Sequence, residues 1–223
     1  MRAPLQAMLI ASLGFTSIQW TFEGWATARV RLPGLQSVPP PRVAKAIAAG
    51  FDGFLADLAY IRFSTYWGYW LTHGRAFHNV APLLDLVVTL DPRLRSAYEI
   101  GSVALGDAGD VDGAIRLLAK GAKASPTDSW YPFQTGMMLF LYSTRYAEAA
   151  TAFERAASMP GADPAAAFFA ARMHLSSARK DMALRIWYDI WRTTKSPSMR
   201  TCAANWIKKE GRGDLLKDAK TGE

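Results

Sequence analysis

Apolar residues of matching size recur along this chain at intervals of 33 to 35 residues, and this repetition constrains the fold more than any other feature. Four series run in register. They are Gly68, Gly101, Gly136 and Ala171; Val80, Ala114, Ala149 and Ala183; Leu84, Leu118, Phe153 and Trp187; and Val87 or Val88, Gly121, Ala156 and Ile190. A period of this length is typical of repeat proteins, in which each unit buries its apolar face against its neighbours. The sequence therefore predicts stacked copies of one supersecondary unit.

The composition indicates that the unit is helical. Half of the 223 residues are hydrophobic, Ala and Leu are abundant, and Val and Ile are modest. Proline recurs between the helix-like runs, at Pro92, Pro126, Pro160 or Pro164, and Pro197, where it separates one helix from the next. We therefore predict an all-α fold of paired antiparallel helices.

The stretch RYAEAATAFERAASMPGADP carries the best match to a known family. Its residues Tyr146, Ala149, Phe153, Ala156 and Pro160 lie where the tetratricopeptide repeat has its second-helix signature, and the chain resembles that family. The resemblance implies about four helix pairs over residues 51–197, followed by a C-terminal capping helix and tail over 198–223. It also implies a protein-binding scaffold and no enzyme, and it extends to membrane-anchored bacterial repeat proteins.

The resemblance further implies a groove lined by the first helix of each pair. In this register the groove residues are Arg62, Tyr66, Tyr69, Arg95, Tyr98, Trp130, Phe133, Met137, Phe140, Phe169 and Arg172. Aromatic residues with an arginine rim are enriched at protein interfaces, so we expect protein partners with apolar or helical segments and some acidic charge. A register error of one residue would instead pack several of these side chains between helices. The positions with which the family grips a C-terminal carboxylate read Thr65, Tyr69, Tyr98 and Ser102, which argues against that specificity.

The N-terminal residues 1–31 predict a membrane segment. A mostly apolar stretch runs from Ala3 to Phe22, about the 20 residues that a bilayer core requires, with Trp20 and Trp25 near its far end. The leading interpretation is an uncleaved single-pass anchor. Ala26 and Ala28 could instead form the cleavage site of a secretory signal peptide, and a buried helix is the third alternative.

The side of the membrane follows less directly from the sequence. A short N-terminus with one arginine resembles a signal anchor, which places the repeats in the periplasm or outside the cell. Arg29, Arg31, Arg42 and Lys45 favour the cytoplasmic alternative by the positive-inside rule. Residues 32–50 are interpreted as a proline-rich spacer, extended from Leu32 to Arg42, and a lead-in helix.

An aromatic stretch around His73 and His78 raises the possibility of a haem or metal pocket. These histidines are five residues apart, which is not the spacing that sets two ligands on one helical face, and His174 is the third histidine of the chain. Cys202 is the sole cysteine, so no CxxC site exists. We expect no cofactor, no metal and no small-molecule substrate, with haem or metal binding kept as the alternative function.

Charged residues add a further alternative. The formal net charge is +7, and basic residues are densest in the last third of the chain, where acidic residues are mixed with them. This pattern favours a solvated surface, and we expect no nucleic-acid binding, which remains the other alternative function. Asp91, Asp128 and Asp163 recur in equivalent places next to predicted helix starts, and are interpreted as turn or cap residues rather than acid–base catalysts.

Overall fold

The computed structural model describes residues 38–73 and 80–216, which excludes the predicted anchor and His78. The described residues form helices and no strand. The helices are α1 (Pro41–Ala48), α2 (Asp52–His73), α3 (Val80–Leu90), α4 (Arg95–Asp107), α5 (Val111–Ala124), α6 (Trp130–Tyr142), α7 (Tyr146–Ala157), α8 (Ala165–Ser176), α9 (Lys180–Thr193) and α10 (Pro197–Lys209), with a 3-10 turn at Gly213–Leu216. The prediction of an all-α fold is confirmed for this part of the chain.

Consecutive helices pack against one another along the array. The repeat period groups them as four pairs, α2–α3, α4–α5, α6–α7 and α8–α9, and α10 packs on α9. The prolines that recur in the sequence lie in the loops between pairs, except that Pro197 is the first residue of α10. That position suits proline because the first amide of a helix has no intrahelical partner.

The residues of the repeating series are the ones that hold neighbouring helices together. From Val80 onward, every member of the four series is buried. A methyl group added at Gly136 would come within 2.8 Å of the Phe153 ring, and one added at Gly101 within 2.7 Å of Leu84. The large residue of one helix therefore fills the space that the small residue of another leaves open. Gly68 is the exception, since no atom of residues 38–73 and 80–216 lies within 4 Å of the position that its Cβ would take.

Larger side chains at the small positions of α7 should destabilise the array. Ala149 and Ala156 are 0% and 1% exposed. Replacing either with Leu should lower the free energy of unfolding by roughly 1–3 kcal/mol, because added methylene groups have no space there. Urea denaturation followed by circular dichroism measures the loss. Thr151→Leu, at an exposed position of the same helix, is the control and should change stability little; equal stability of all three variants would contradict this packing.

The three aspartates of the inter-pair loops form the same turn each time. The Oδ1 atom of Asp91 accepts a hydrogen bond from the backbone N–H of Arg93 at 2.9 Å. Asp128 accepts from Trp130 at 3.0 Å and Asp163 from Ala165 at 2.8 Å. Each aspartate thus bonds the backbone two residues on, which is the turn these side chains favour. The interpretation of these carboxylates as turn residues is confirmed.

Polar contacts connect neighbouring pairs at about one repeat interval. Arg145 binds Asp112 at 2.7 Å, and the Tyr142 hydroxyl donates to Asp107 at 2.9 Å. Lys120 forms an ion pair with Asp85. Exposed pairs of this kind contribute about 0.2–1 kcal/mol each, so packing supplies most of the stability and the polar contacts fix the neighbours' orientation.

One helix begins earlier than the sequence analysis predicted. Pro41 begins α1, so the last two residues of the predicted extended spacer, Pro41 and Arg42, are helical. The C-terminal helix ends at Lys209, and Gly211 follows with a φ of 78°, a left-handed conformation that glycine adopts freely. No helix within residues 38–73 and 80–216 is long and apolar enough to cross a membrane.

Candidate partner-binding face

The predicted groove residues fall into three classes of exposure. Arg62 and Arg172 are exposed, and Tyr98 is fully buried. The half-buried class contains Tyr66, Tyr69, Arg95, Trp130, Phe133, Met137, Phe140 and Phe169. The first helices of the pairs therefore present a partly apolar surface, and Tyr98 is no part of it.

Tyr98 points into the array, and the prediction that it lines an exposed groove is wrong. It shares the inner side of α4 with Gly101 and Leu105, three and seven residues on, which are also buried. Its ring meets the edge of Tyr131 at 5.4 Å between centroids. Its hydroxyl donates to the carbonyl oxygen of Pro92 at 3.0 Å. The ring packs α4 against α6, and the polar tip satisfies a loop carbonyl.

The burial of Tyr98 makes the stability of the fold sensitive to alkaline pH. Burial raises the pKa of the Tyr98 hydroxyl to about 12, with smaller contributions from Tyr131 and Asp91. Since an unfolded tyrosine has a pKa near 10, the stabilising contribution is complete below about pH 10 and is lost as pH rises towards 12. That loss amounts to roughly 2–3 kcal/mol.

Comparing Tyr98→Phe with the unchanged protein isolates this effect. At about pH 8 the variant should be less stable by about 1 kcal/mol, since it lacks one hydrogen bond. The difference should disappear or reverse by about pH 11.5, because only the unchanged protein has this phenol to ionise. Denaturant titrations across this range measure it. A constant difference at every pH would show that the Tyr98 pKa is not raised.

Arg95 is engaged within the molecule rather than free at the rim. Its guanidinium lies over the Trp130 ring, 4.1 Å from the centroid. It binds Glu99 at 3.1 Å and Asp128 at 2.5 Å. The side chain therefore holds the indole of α6 in place and connects α4 to the loop before α6. Its charge is largely balanced by these two carboxylates, so its role on the face is to orient Trp130.

Three predicted groove phenylalanines form one cluster between α6 and α8. Phe133 and Phe169 meet at 5.9 Å between centroids, and Phe140 and Phe169 at 6.3 Å. The buried ring of Phe153 supports the cluster from α7, at 5.4 Å from Phe133 and 5.2 Å from Phe169. The cluster belongs both to the core and to the face, because each of the three outer rings keeps part of its surface in contact with solvent.

A row of side chains runs along the solvent side of α6. Trp130, Gln134, Met137 and Leu141 follow at helical intervals of four, three and four residues and so share one side of the helix. Leu141 is 57% exposed and is the most solvent-accessible member of the row. The register taken from the family omitted Leu141 and Gln134. Both lie four residues after a predicted groove residue, Trp130 or Met137, and helical spacing therefore places them on the same side of α6.

A cleft of about 530 Å³ adjoins this row at the start of α6. Trp130 and Phe133 form one wall, and the loop from Gly161 to Pro164 forms the other. Its volume is within the range of small-molecule and side-chain pockets. An aromatic or aliphatic side chain of a partner could be held here, where interface pockets concentrate binding energy. We define the first-helix face as Trp130, Phe133, Gln134, Met137, Phe140, Leu141, Phe169 and Arg172, together with this cleft.

The predicted groove residues of α2 form a separate group. Arg62, Tyr66 and Tyr69 lie along one side of this helix, and Tyr69 stacks on His73 with 4.1 Å between centroids. His73 also lies 2.6 Å from the Thr72 hydroxyl. These contacts of the His73 ring are thus with residues of its own helix. Its predicted partner, His78, lies outside the described residues.

A second cleft lies on the side of the second helices and was not predicted. It measures about 550 Å³ and is floored by Ile115 and Leu139, with Arg145, Arg155 and Arg179 at its edges. Arg145 is bound to Glu148 and Asp112, both of which raise the pKa of its guanidinium. This cleft is the main competing place for a partner, so Thr151, which lines it, serves as a reference position below.

Within residues 38–73 and 80–216, no three His, Cys, Asp or Glu side chains stand together as a metal site would require. His174, which the sequence left unassigned, is 2% exposed, and its Nε2 lies 2.7 Å from a carboxylate oxygen of Glu154. This pair connects α7 to α8. Cys202 is an exposed free cysteine.

Comparisons with known proteins complete this description. No protein-family model matches the sequence, and a search of curated proteins finds no match. A solved structure described as the crystal structure of MamA is similar to this chain with a TM-score of 0.45 and 17% identity, over 60% of this chain and 79% of that chain. A TM-score below 0.5 does not establish a common fold. The repeat architecture therefore rests on the helix pairs and their spacing.

Proposed function

We propose that this protein is a membrane-tethered helical-repeat scaffold that binds a protein partner on the first-helix face. The observation that carries the proposal is the row on α6, where Trp130, Met137 and Leu141 keep apolar surface in solvent beside an open cleft. Aromatic residues and methionine are enriched in the centres of interfaces.

The chemistry of this face indicates the kind of partner. Apolar surface from Trp130 to Leu141 spans three turns of helix, a length that suits an amphipathic helix or an extended apolar segment. Arg172 is exposed nearby on α8, and no ion pair involving it is recorded among the described residues. An acidic residue on the partner would pair with it. We therefore propose an apolar or helical segment with acidic charge, contributed by another subunit of a membrane complex.

Membrane tethering is the second part of the proposal. It rests on the apolar stretch from Ala3 to Phe22 and on the proline-rich spacer that separates this stretch from α1. Tethering raises the effective concentration of a weakly binding partner in the same membrane. We therefore propose that the protein is an accessory or assembly subunit, with its repeats on the periplasmic or exoplasmic side.

Deleting Met1 to Arg31 tests the tether. The full-length chain should sediment with membranes and resist extraction with salt, since the anchor is held by apolar burial rather than by charge. The truncated chain should appear in the soluble fraction with the same helical circular dichroism per residue. A truncated chain that still sediments with membranes, or a full-length chain that salt extracts, would contradict the anchor.

A further inference from the structure

The outer surface of α1 and the first half of α2 carries a stripe of large apolar side chains. The N-terminal apolar stripe consists of Val43, Ile47, Phe51, Phe54, Leu58 and Ile61. These side chains are between 47% and 71% exposed, and they are six of the nine exposed large hydrophobic residues of the described chain. Val43 and Ile47 share one side of α1, and Phe54, Leu58 and Ile61 share one side of α2, at intervals of three or four residues. Phe51 lies between the two helices.

The stripe is not the packing side of either helix. Ala56 and Phe63 are buried on the opposite side of α2, and Ala44 and Ala48 are buried on the adjacent side of α1. The first half of α2 is therefore apolar on two sides, which is typical of a helix that is covered on both. In the second half of α2 the same outer side carries Thr65, Gly68 and Thr72, so the stripe ends near Ile61.

The last helix of the described residues, α10, has a different outer surface. The outer side of α10 exposes Thr201, Asn205, Lys208 and Lys209, a polar surface. Terminal units of repeat proteins require such a surface for solubility. The N-terminal end lacks it, so its stripe is expected to be covered in the working protein.

The charges beside the stripe match an anionic surface. Arg42 and Arg62 are exposed near it, against one exposed acidic residue, Asp57, whereas the exposed Lys45 lies on the other side of α1. An apolar side flanked by basic residues is the composition of helices that lie in the boundary between headgroups and acyl chains. Anionic lipids attract such basic residues near the membrane surface.

The chain before α1 determines how far the stripe can lie from a membrane. If the stretch from Ala3 to Phe22 crosses the bilayer, as proposed above, 18 residues separate it from Pro41. Fully extended, that length spans at most about 60 Å. The stripe then stays within this distance of the headgroups, and a weak affinity for the membrane surface is sufficient for contact.

From these observations we infer that the N-terminal apolar stripe docks on the surface of an anionic bilayer, with Phe51, Phe54 and Leu58 at the level of the acyl chains. This inference rests on the proposed anchor for proximity and adds a second membrane contact. Docking would hold α2 against the bilayer and fix how the first-helix face is presented to partners in the same membrane.

Site-specific fluorescence in the full-length chain tests the inference. The exposed Cys202 is first removed by Cys202→Ser, and single cysteines are introduced by Leu58→Cys in the stripe, Thr151→Cys on α7 and Leu9→Cys in the proposed anchor. Each is labelled with a polarity-sensitive dye in detergent and then reconstituted into phosphatidylethanolamine–phosphatidylglycerol vesicles. Vesicles that contain a lipid spin-labelled near the headgroup quench any dye at that depth.

We expect about twofold or greater quenching at position 58 and almost none at position 151. Adding Phe54→Glu should reduce the quenching at position 58, whereas Thr65→Glu, on the same side of α2 beyond the stripe, should leave it unchanged. A dye at position 58 that is shielded but not quenched overturns lipid docking and indicates a protein occupant. A signal that falls on dilution of the protein identifies that occupant as a second copy.

The dye at position 9 separates the inference from the proposed function. Shielding at position 9 without quenching at position 58 contradicts surface docking and leaves the anchor intact. Solvent exposure at both positions contradicts both. Quenching at position 58 with an exposed position 9 supports docking and removes the anchor.

Discussion

Phe153→Ala should lower the free energy of unfolding by roughly 3–5 kcal/mol, a large part of the stability of a domain of this size. The Phe153 ring is fully buried, occupies the space left by Gly136, and supports Phe133 and Phe169 from below. Removing the ring leaves a cavity at the junction of α6, α7 and α8. The surrounding backbone cannot close such a cavity without breaking other contacts.

Denaturant unfolding of the variant, followed by circular dichroism, measures this loss. Phe140→Ala is the matched control, because Phe140 belongs to the same cluster but is half-exposed. We expect that control to lose less than half as much. Equal losses in the two variants, or a loss of less than about 1 kcal/mol for Phe153→Ala, would contradict the packing described here.

Substitutions on the first-helix face should instead weaken partner binding more than they lower the free energy of unfolding. Trp130→Ala combined with Leu141→Ala should weaken partner binding by about 4 kcal/mol, roughly a thousandfold, because truncating a central interface residue costs about 2 kcal/mol or more. Leu141 is mostly exposed, so its part of the stability loss should be small. The contact between Trp130 and Arg95 adds about 0.5–2 kcal/mol.

Titrating the isolated partner against the two proteins measures the change in affinity. Arg116→Ala, an exposed residue of α5, is the control and should leave affinity unchanged. If the double variant remains folded and retains full affinity, the partner binds elsewhere, with the second cleft near Arg145 as the first alternative.

The sequence predicted the repeating core because burial in this architecture depends on residue size at a fixed interval. Ala149, Phe153 and Trp187 are buried as their series require. Gly68 satisfies the interval but not the packing, since no described atom lies within 4 Å of the position that a Cβ would take there. The interval therefore predicts which positions can pack closely, and the surrounding contacts decide whether each of them does.

The residues of the first-helix face were predicted less well than the core, as Tyr98 and Leu141 illustrate. Sequence position fixes the direction of a side chain only to within one residue of register, and a shift of one residue turns it by about 100° around the helix. Tyr98 points inward and belongs to the core. Leu141 points outward, and the register taken from the family did not include it. Arg95 could not be assigned from sequence because its partners, Trp130 and Asp128, lie more than thirty residues away.

Photo-crosslinking in native membranes shows which face of the array the partner contacts, with a photoreactive residue in place of Leu141 or, in a second protein, in place of Thr151. The first position lies on the first-helix face and the second lines the opposite cleft. We expect an adduct with a different membrane-associated protein at position 141, lost when Trp130→Ala is added, and no such adduct at position 151. Adducts that form at position 151 and not at position 141, or only with a second copy of this chain, would contradict this expectation.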